Sequence, residues 1–172
     1  MVQEIIREGE EFSIIIFEVG WEQFAIESDS VKEIIQAGRI RRLPKQLEYI
    51  EGIYNYRGDL IHVVNLEKKL KLHEHVLFKS KIDELENRND KNKKFLIIMN
   101  LGDIDIGFLV DRIINVAHIT EKDIEPLSAI FQTSISMDYI KGILKFEDRP
   151  RILIDLNMML AEVEHLSVKE EN

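Results

Sequence analysis

Tyr49-Ile-Glu-Gly52-Ile-Tyr-Asn55-Tyr56-Arg57-Gly58-Asp-Leu-Ile-His62-Val-Val-Asn65-Leu-Glu-Lys-Lys-Leu70 returns later in the chain as Tyr139-Ile-Lys-Gly142-Ile-Leu-Lys145-Phe146-Glu147-Asp148-Arg149-Pro150-Arg-Ile-Leu-Ile-Asp155-Leu-Asn-Met-Met-Leu160. The two stretches align without a gap. Tyr49/Tyr139, Ile50/Ile140, Gly52/Gly142, Ile53/Ile143, Leu66/Leu156 and Leu70/Leu160 are identical, and Tyr56/Phe146, Val64/Ile154 and Asn65/Asp155 are close in character. Each copy reads as strand, turn, strand and cap. Arg57-Gly58-Asp59 and Glu147-Asp148-Arg149-Pro150 are turn chemistry, and Leu60 to Val64 and Ile152 to Ile154 are the returning strands. A glycine inside a strand-like run, as at Gly52 and Gly142, marks a bulge or a close backbone approach. Asn65 and Asp155 stand where the strand ends and suit the N-cap of a short helix.

Working outward, the segments before the copies match more loosely: Ile14-Ile15-Ile16 with Gly20 against Leu96-Ile97-Ile98 with Gly102. The remaining apolar runs are short, β-branched and bounded by turn residues. They predict strands at Ser13 to Phe17, Phe24 to Ile26, Leu60 to Leu66, Phe95 to Met99, Ile104 to Val110, Ile113 to Ile119 and Ile152 to Leu156. Only Leu156 to His165 has helical spacing, through Leu156, Met159, Leu160 and Val163. The expectation is an all-β fold of two similar small barrels related by internal duplication, with short helices including one near the C-terminus. We read residues 1–172 as a single domain, with 12–70 mainly the first subdomain and 95–160 mainly the second, strands being open to exchange between them. Residues 71–94 are expected to form a charged loop, and 161–172 the helix end and a frayed tail.

Composition bounds the function. The chain has 172 residues, 45% hydrophobic and 32% charged, ordinary values for a soluble globular protein. No apolar run approaches the roughly 20 residues of a bilayer-spanning helix, and no leader pattern opens the chain. With no cysteine, thiolate metal sites and cysteine nucleophiles are excluded. A cytoplasmic protein is expected. Its net charge of −9, from 32 acidic and 23 basic residues, disfavours nucleic-acid backbones. The basic cluster Arg39, Arg41 and Arg42 reads better as a solvated loop than as a patch for an acidic partner.

The residues that carry chemistry form no catalytic constellation. Phosphate-binding glycine loops, the Gly-x-Ser-x-Gly elbow and the His-Glu-x-x-His helix are missing from the sequence. His73 and His75 have strand-like spacing but lack third and fourth ligands, while His62 and His118 fall on strand runs. Asp103 and Asp105 flank a hairpin, where turn and edge roles suffice. Ser30-x-x-Glu33 fits a helix capping box before Ile34, and equally a strand with Val31 and Glu33 on one face. We expect no catalytic residue, cofactor or metal. The rival class is a small-ligand β-barrel or an unrecognised enzyme using Trp21, His62 or His118 in a cavity.

Gly52-Ile-Tyr-Asn55-Tyr-Arg57-Gly58 followed by Leu60-Ile-His-Val-Val-Asn-Leu66 resembles the Gly-x-x-Asn-x-Arg-Gly-x-x-x-Pro-x-x-Asp-Leu signature of CheW-like domains. Phe17 to Ile26 resembles the family's opening hairpin, Val31-Lys-Glu33-Ile34 its Val-x-Glu-Ile segment, and Ile106-Gly107-Phe-Leu-Val110-Asp111 its Gly-x-x-Val-Asp strand. The chain departs from the pattern at His62 for proline, Asn65 for aspartate and Tyr56 for leucine, and its 71–94 linker is longer. The resemblance implies two five-stranded, SH3-like barrels. It further implies a non-catalytic adaptor in chemotaxis signal transduction, cytoplasmic and recruited to membrane receptor arrays. Its implied partners are the regulatory domain of a CheA-type histidine kinase and the cytoplasmic tip of methyl-accepting chemoreceptors, with no nucleic acid and no direct membrane insertion. Val31, Glu33, Gly52, Asn55 and Arg57 match receptor-binding positions, and Ile130 and Phe131 match a kinase-binding segment.

Overall fold

The computed structural model describes residues 10–20, 22–72, 93–127, 135–159 and 161. Its first half holds the strands β1 (Phe12–Val19), β2 (Glu22–Glu27), β3 (Val31–Gln36), β4 (Ile50–Tyr56) and β5 (Asp59–Asn65), then a helical turn α1 (Leu66–Lys69). The second half adds β6 (Phe95–Leu101), β7 (Ile104–Val110), β8 (Arg112–Ile119), β9 (Ile124–Glu125), β10 (Ile140–Leu144) and β11 (Arg151–Ile154), with helical residues at 156–159 and 161. The fold is a two-subdomain, mostly β structure. The strands make one sheet in the order β8-β1-β2-β11-β10-β9 and another in the order β3-β6-β7-β5-β4.

The two orders correspond position by position under the sequence repeat. Each sheet takes a hairpin from each half of the chain. β11 joins β2 in parallel, at Leu153 beside Ala25, and β5 joins β7 in parallel, at Val63 beside Gly107. The sixth strand, β9, has its counterpart in a single bridge between Arg41 and Ile53. Glu125 pairs with Ile143, the repeat partner of Ile53, so the additional strand is an extension of the same contact.

Both repeat glycines sit at register shifts where another backbone crosses. A Cβ on Gly52 would lie 2.2 Å from the Arg41 carbonyl oxygen, and one on Gly142 would lie 2.5 Å from Ile124 Cγ2 and 2.8 Å from the Glu125 carbonyl. Both readings of these glycines, bulge and close approach, hold together. The caps repeat as well. Asn65 N–H donates to the Tyr49 carbonyl at 2.8 Å, and Asp155 N–H to the Tyr139 carbonyl at 2.7 Å. The Asn65 side chain then accepts from Lys68 N–H at 3.1 Å, and that of Asp155 from Met158 N–H at 3.2 Å. Each cap turns the chain helical at the next residue, so Leu66 and Leu156 open helical segments where the apolar run alone suggests more strand.

Three apolar clusters explain why β1 and β6 read as unbroken hydrophobic runs. Ile15 and Phe17 of β1 and Ile97 and Met99 of β6 face a core shared by both sheets. Ile14 and Ile16 face a second cluster made wholly from the six-stranded sheet, while Leu96 and Ile98 face a third made from the five-stranded one. A strand buried on both faces has no polar side to alternate with. Phe17, Phe24 and Phe108 are fully buried in the shared core, each burial stabilising the fold by about 1.5–3 kcal/mol. Leu156 and Met159 reach this core at helical spacing, and the rest of the predicted C-terminal helix and tail lies outside the described residues. The charged loop at 71–94 likewise lies almost wholly outside them.

Candidate functional site

The segment Val31–Gln36 is a strand, so the capping-box reading of Ser30 and Glu33 falls away. The strand reading needs its own correction. A bulge places Val31 opposite Met99 but Glu33 opposite Ile98, whose side chains point to opposite faces. Val31, with Ile34, therefore packs against the shared core, while Glu33 lies on the face of the five-stranded sheet's own core.

The turn between β4 and β5 delivers Arg57 to the same place. Arg57 and Gly58 both have positive φ, 52° and 90°, as a type I′ two-residue hairpin turn requires. Asn55 holds the turn by accepting the Gly58 N–H on Oδ1 at 3.0 Å. Tyr56, just before the turn, is buried in the sheet's own core, yet its hydroxyl donates to Glu33 Oε2. Arg57 Nη2 lies 2.9 Å from that same oxygen, and its guanidinium stands 5.5 Å from the centre of the Tyr56 ring. Lys32 stands over this ring at 5.8 Å and pairs with Asp105 at 2.7 Å. Asp105 also accepts from Asn100 Nδ2 at 2.8 Å.

Two cations, two carboxylates, a phenol and an amide from β3, the β4–β5 hairpin, β6 and β7 thus form one surface cluster. The phenol hydrogen bond, assisted by Arg57, holds Glu33 below the usual carboxylate range, and the same bond raises the phenol of Tyr56. Lys32, then Asn100, lower the Asp105 carboxyl, and Asp105 raises Lys32 in return. Every hydroxyl and carboxylate in the cluster is engaged in a hydrogen bond or ion pair. On the opposite face of the sheet, beside Asn55, the strands carry exposed Leu60 (68%) and Ile104 (46%), two residues upstream of the paired His62 and Ile106.

Of the expected receptor-binding residues, the structure brings Glu33 and Arg57 into contact and sets Asn55 on the same turn. Gly52 is buried under the Arg41 backbone, and Val31 turns to the core. Ile130 and Phe131 lie outside the described residues, as do Trp21, His73 and His75. His62 stands exposed on β5, and His118 bonds Ser13 Oγ at 3.1 Å on the other sheet, so these two share no cavity. Among the described residues no group of three His, Asp or Glu side chains is placed to hold a metal ion, and no helix is long and apolar enough to cross a membrane. Sequence reasoning missed Lys32, Asn100 and Asp105 as site members. Lys32 and Asp105 are 73 positions apart, and no local pattern relates them.

The family model for the CheW-like domain matches residues 13–164. The chain is 28% identical to a chemotaxis protein CheW of Treponema pallidum, over 90% of this chain and 85% of that protein. It is 30% identical to chemotaxis protein CheW of Bacillus subtilis, over 90% and 89%. Among solved structures, the scaffolding protein TtCheW from Thermoanaerobacter tengcongensis superposes with a TM-score of 0.68 at 26% identity, covering 90% of this chain and 91% of that one.

Proposed function

The chain belongs to the CheW-like domain family and is a chemotaxis scaffold protein; from that premise we propose that it is a non-catalytic adaptor joining chemoreceptors to a CheA-type histidine kinase. The Arg57–Glu33 pair carries this reading. It sets an exposed guanidinium on one face of the five-stranded sheet, next to the turn residue Asn55. A planar fork of donors held by a neighbouring carboxylate suits a helical segment at the cytoplasmic tip of a receptor. In this reading Glu33, Asn55 and Arg57 meet the receptor. Gly52 and Val31 act from behind, by fixing the backbone and the core that carry them. Ile130 and Phe131 meet the kinase's regulatory domain. The protein works in the cytoplasm and reaches the membrane through the receptors it binds.

Coupling of this kind requires contacts that differ between signalling states, beyond attachment. Co-purification of the full chain with a receptor tip fragment and with the kinase regulatory domain tests the reading. Arg57→Glu is expected to lose the receptor fragment and keep the kinase domain, and Ile130→Ser the reverse. Binding of neither partner by the wild-type chain refutes it.

A further inference from the structure

The Tyr56 ring is 5% exposed and fixed among Ile61, Val63, Leu96 and Ile98, so its hydroxyl emerges at the surface from an immobile base. Glu33 accepts that hydroxyl and the Arg57 guanidinium on one and the same carboxylate oxygen. The positive φ of Arg57 folds its side chain back over the Tyr56 ring, so the guanidinium is held by the ring from one side and by the carboxylate from another. Without those contacts, an arginine 73% exposed would lose its rotamer freedom only on binding. Nη2 is committed to Glu33, while among the described residues Nε–H and the Nη1 donors remain for a partner.

We propose that Tyr56 is a positioning residue: its hydroxyl holds Glu33, and through Glu33 the Arg57 guanidinium, in the orientation that meets a carboxylate of the receptor segment. The proposal rests on the adaptor reading above. The clamp itself has a readout that needs no partner, which is the titration of the Glu33 carboxyl.

The test uses Tyr56→Phe in the full-length chain, a change that keeps the ring and its packing. Followed by carboxyl carbon NMR, Glu33 titrates below the ordinary glutamate range in the wild type, and Tyr56→Phe moves it upward. Affinity for a receptor tip fragment falls by about two- to tenfold, the scale of one side chain's ordering cost. In a Glu33→Ala background the same substitution changes affinity no further, because the hydroxyl acts only through that carboxylate. An unchanged Glu33 titration, wild-type affinity in Tyr56→Phe, or an equal loss in the Glu33→Ala background overturns the proposal. Failure of the wild-type chain to bind the fragment also overturns it. A Glu33 titration that still moves then places the fault in the choice of partner and leaves the clamp standing.

Discussion

Gly52 shows how a crossing backbone fixes a motif residue. Its φ of +154° and the 2.2 Å from its missing Cβ to the Arg41 carbonyl leave no room for a side chain. Gly52→Ala is expected to cost about 1–3 kcal/mol in urea denaturation, by backbone strain and by breaking the Arg41–Ile53 bridge. An unchanged midpoint would contradict the close approach. Charged residues of the site respond to pH instead. Glu33 and Asp105 are lowered when folded, so their contribution is present above the ordinary carboxylate range and is lost as pH falls through their depressed values. Thermal melts from neutral to acid pH should show wild type losing its advantage over Glu33→Gln and Asp105→Asn at the acid end. At this scale the spaced motif in the sequence points to Glu33, Asn55 and Arg57, and the structure brings the first and last into contact with Asn55 on the same turn. It left Tyr56 as a departure from a pattern. That tyrosine donates a hydrogen bond to Glu33 of β3, a contact that no spacing encodes.

Element by element, the strands with the plainest apolar runs were the most legible: β7 spans Ile104–Val110, as its pattern predicts. Val31–Gln36 was the ambiguous one, and its ambiguity has a physical origin. A bulge breaks the period of two, so Val31 and Ile34 share a face and mimic helical spacing. β9 and the Arg41 bridge were invisible, since pairings this short carry no periodic signal. The caps were legible from the repeat, and they make an element-level prediction. Asn65→Ala and Asp155→Ala should each destabilise by about 1 kcal/mol, the usual worth of an N-cap. Lys69 stands over both Tyr49 and Tyr139, and Leu66 and Leu156 share one core, so the double variant should depart from the sum of the singles in equilibrium unfolding. Strict additivity would mean that the two caps act independently despite that shared core.

The whole molecule is two related halves that complete each other's sheets. β1-β2 of the first half pairs with β11 of the second, and β6-β7 of the second with β5 of the first. The repeat makes the duplication readable, whereas the parallel junctions depend on contacts between distant segments and emerge only in three dimensions. Fragments 1–72 and 93–172 should each fail to unfold cooperatively alone, since each then exposes the shared core, and should recover a cooperative transition when mixed. Cooperative unfolding of either fragment by itself would contradict the interlocked sheets. The interlock also means that the Arg57 surface, built on β3 to β7, is carried by strands of both halves. Any partner held elsewhere on the molecule thus shares a core with it. The most direct test is kinase autophosphorylation in a reconstituted assembly of receptor, CheA-type kinase and this chain. The adaptor account predicts that receptor ligand alters kinase activity only when the chain is present, and that Arg57→Glu abolishes the response while kinase binding persists. Receptor control that is the same with and without the chain would contradict it.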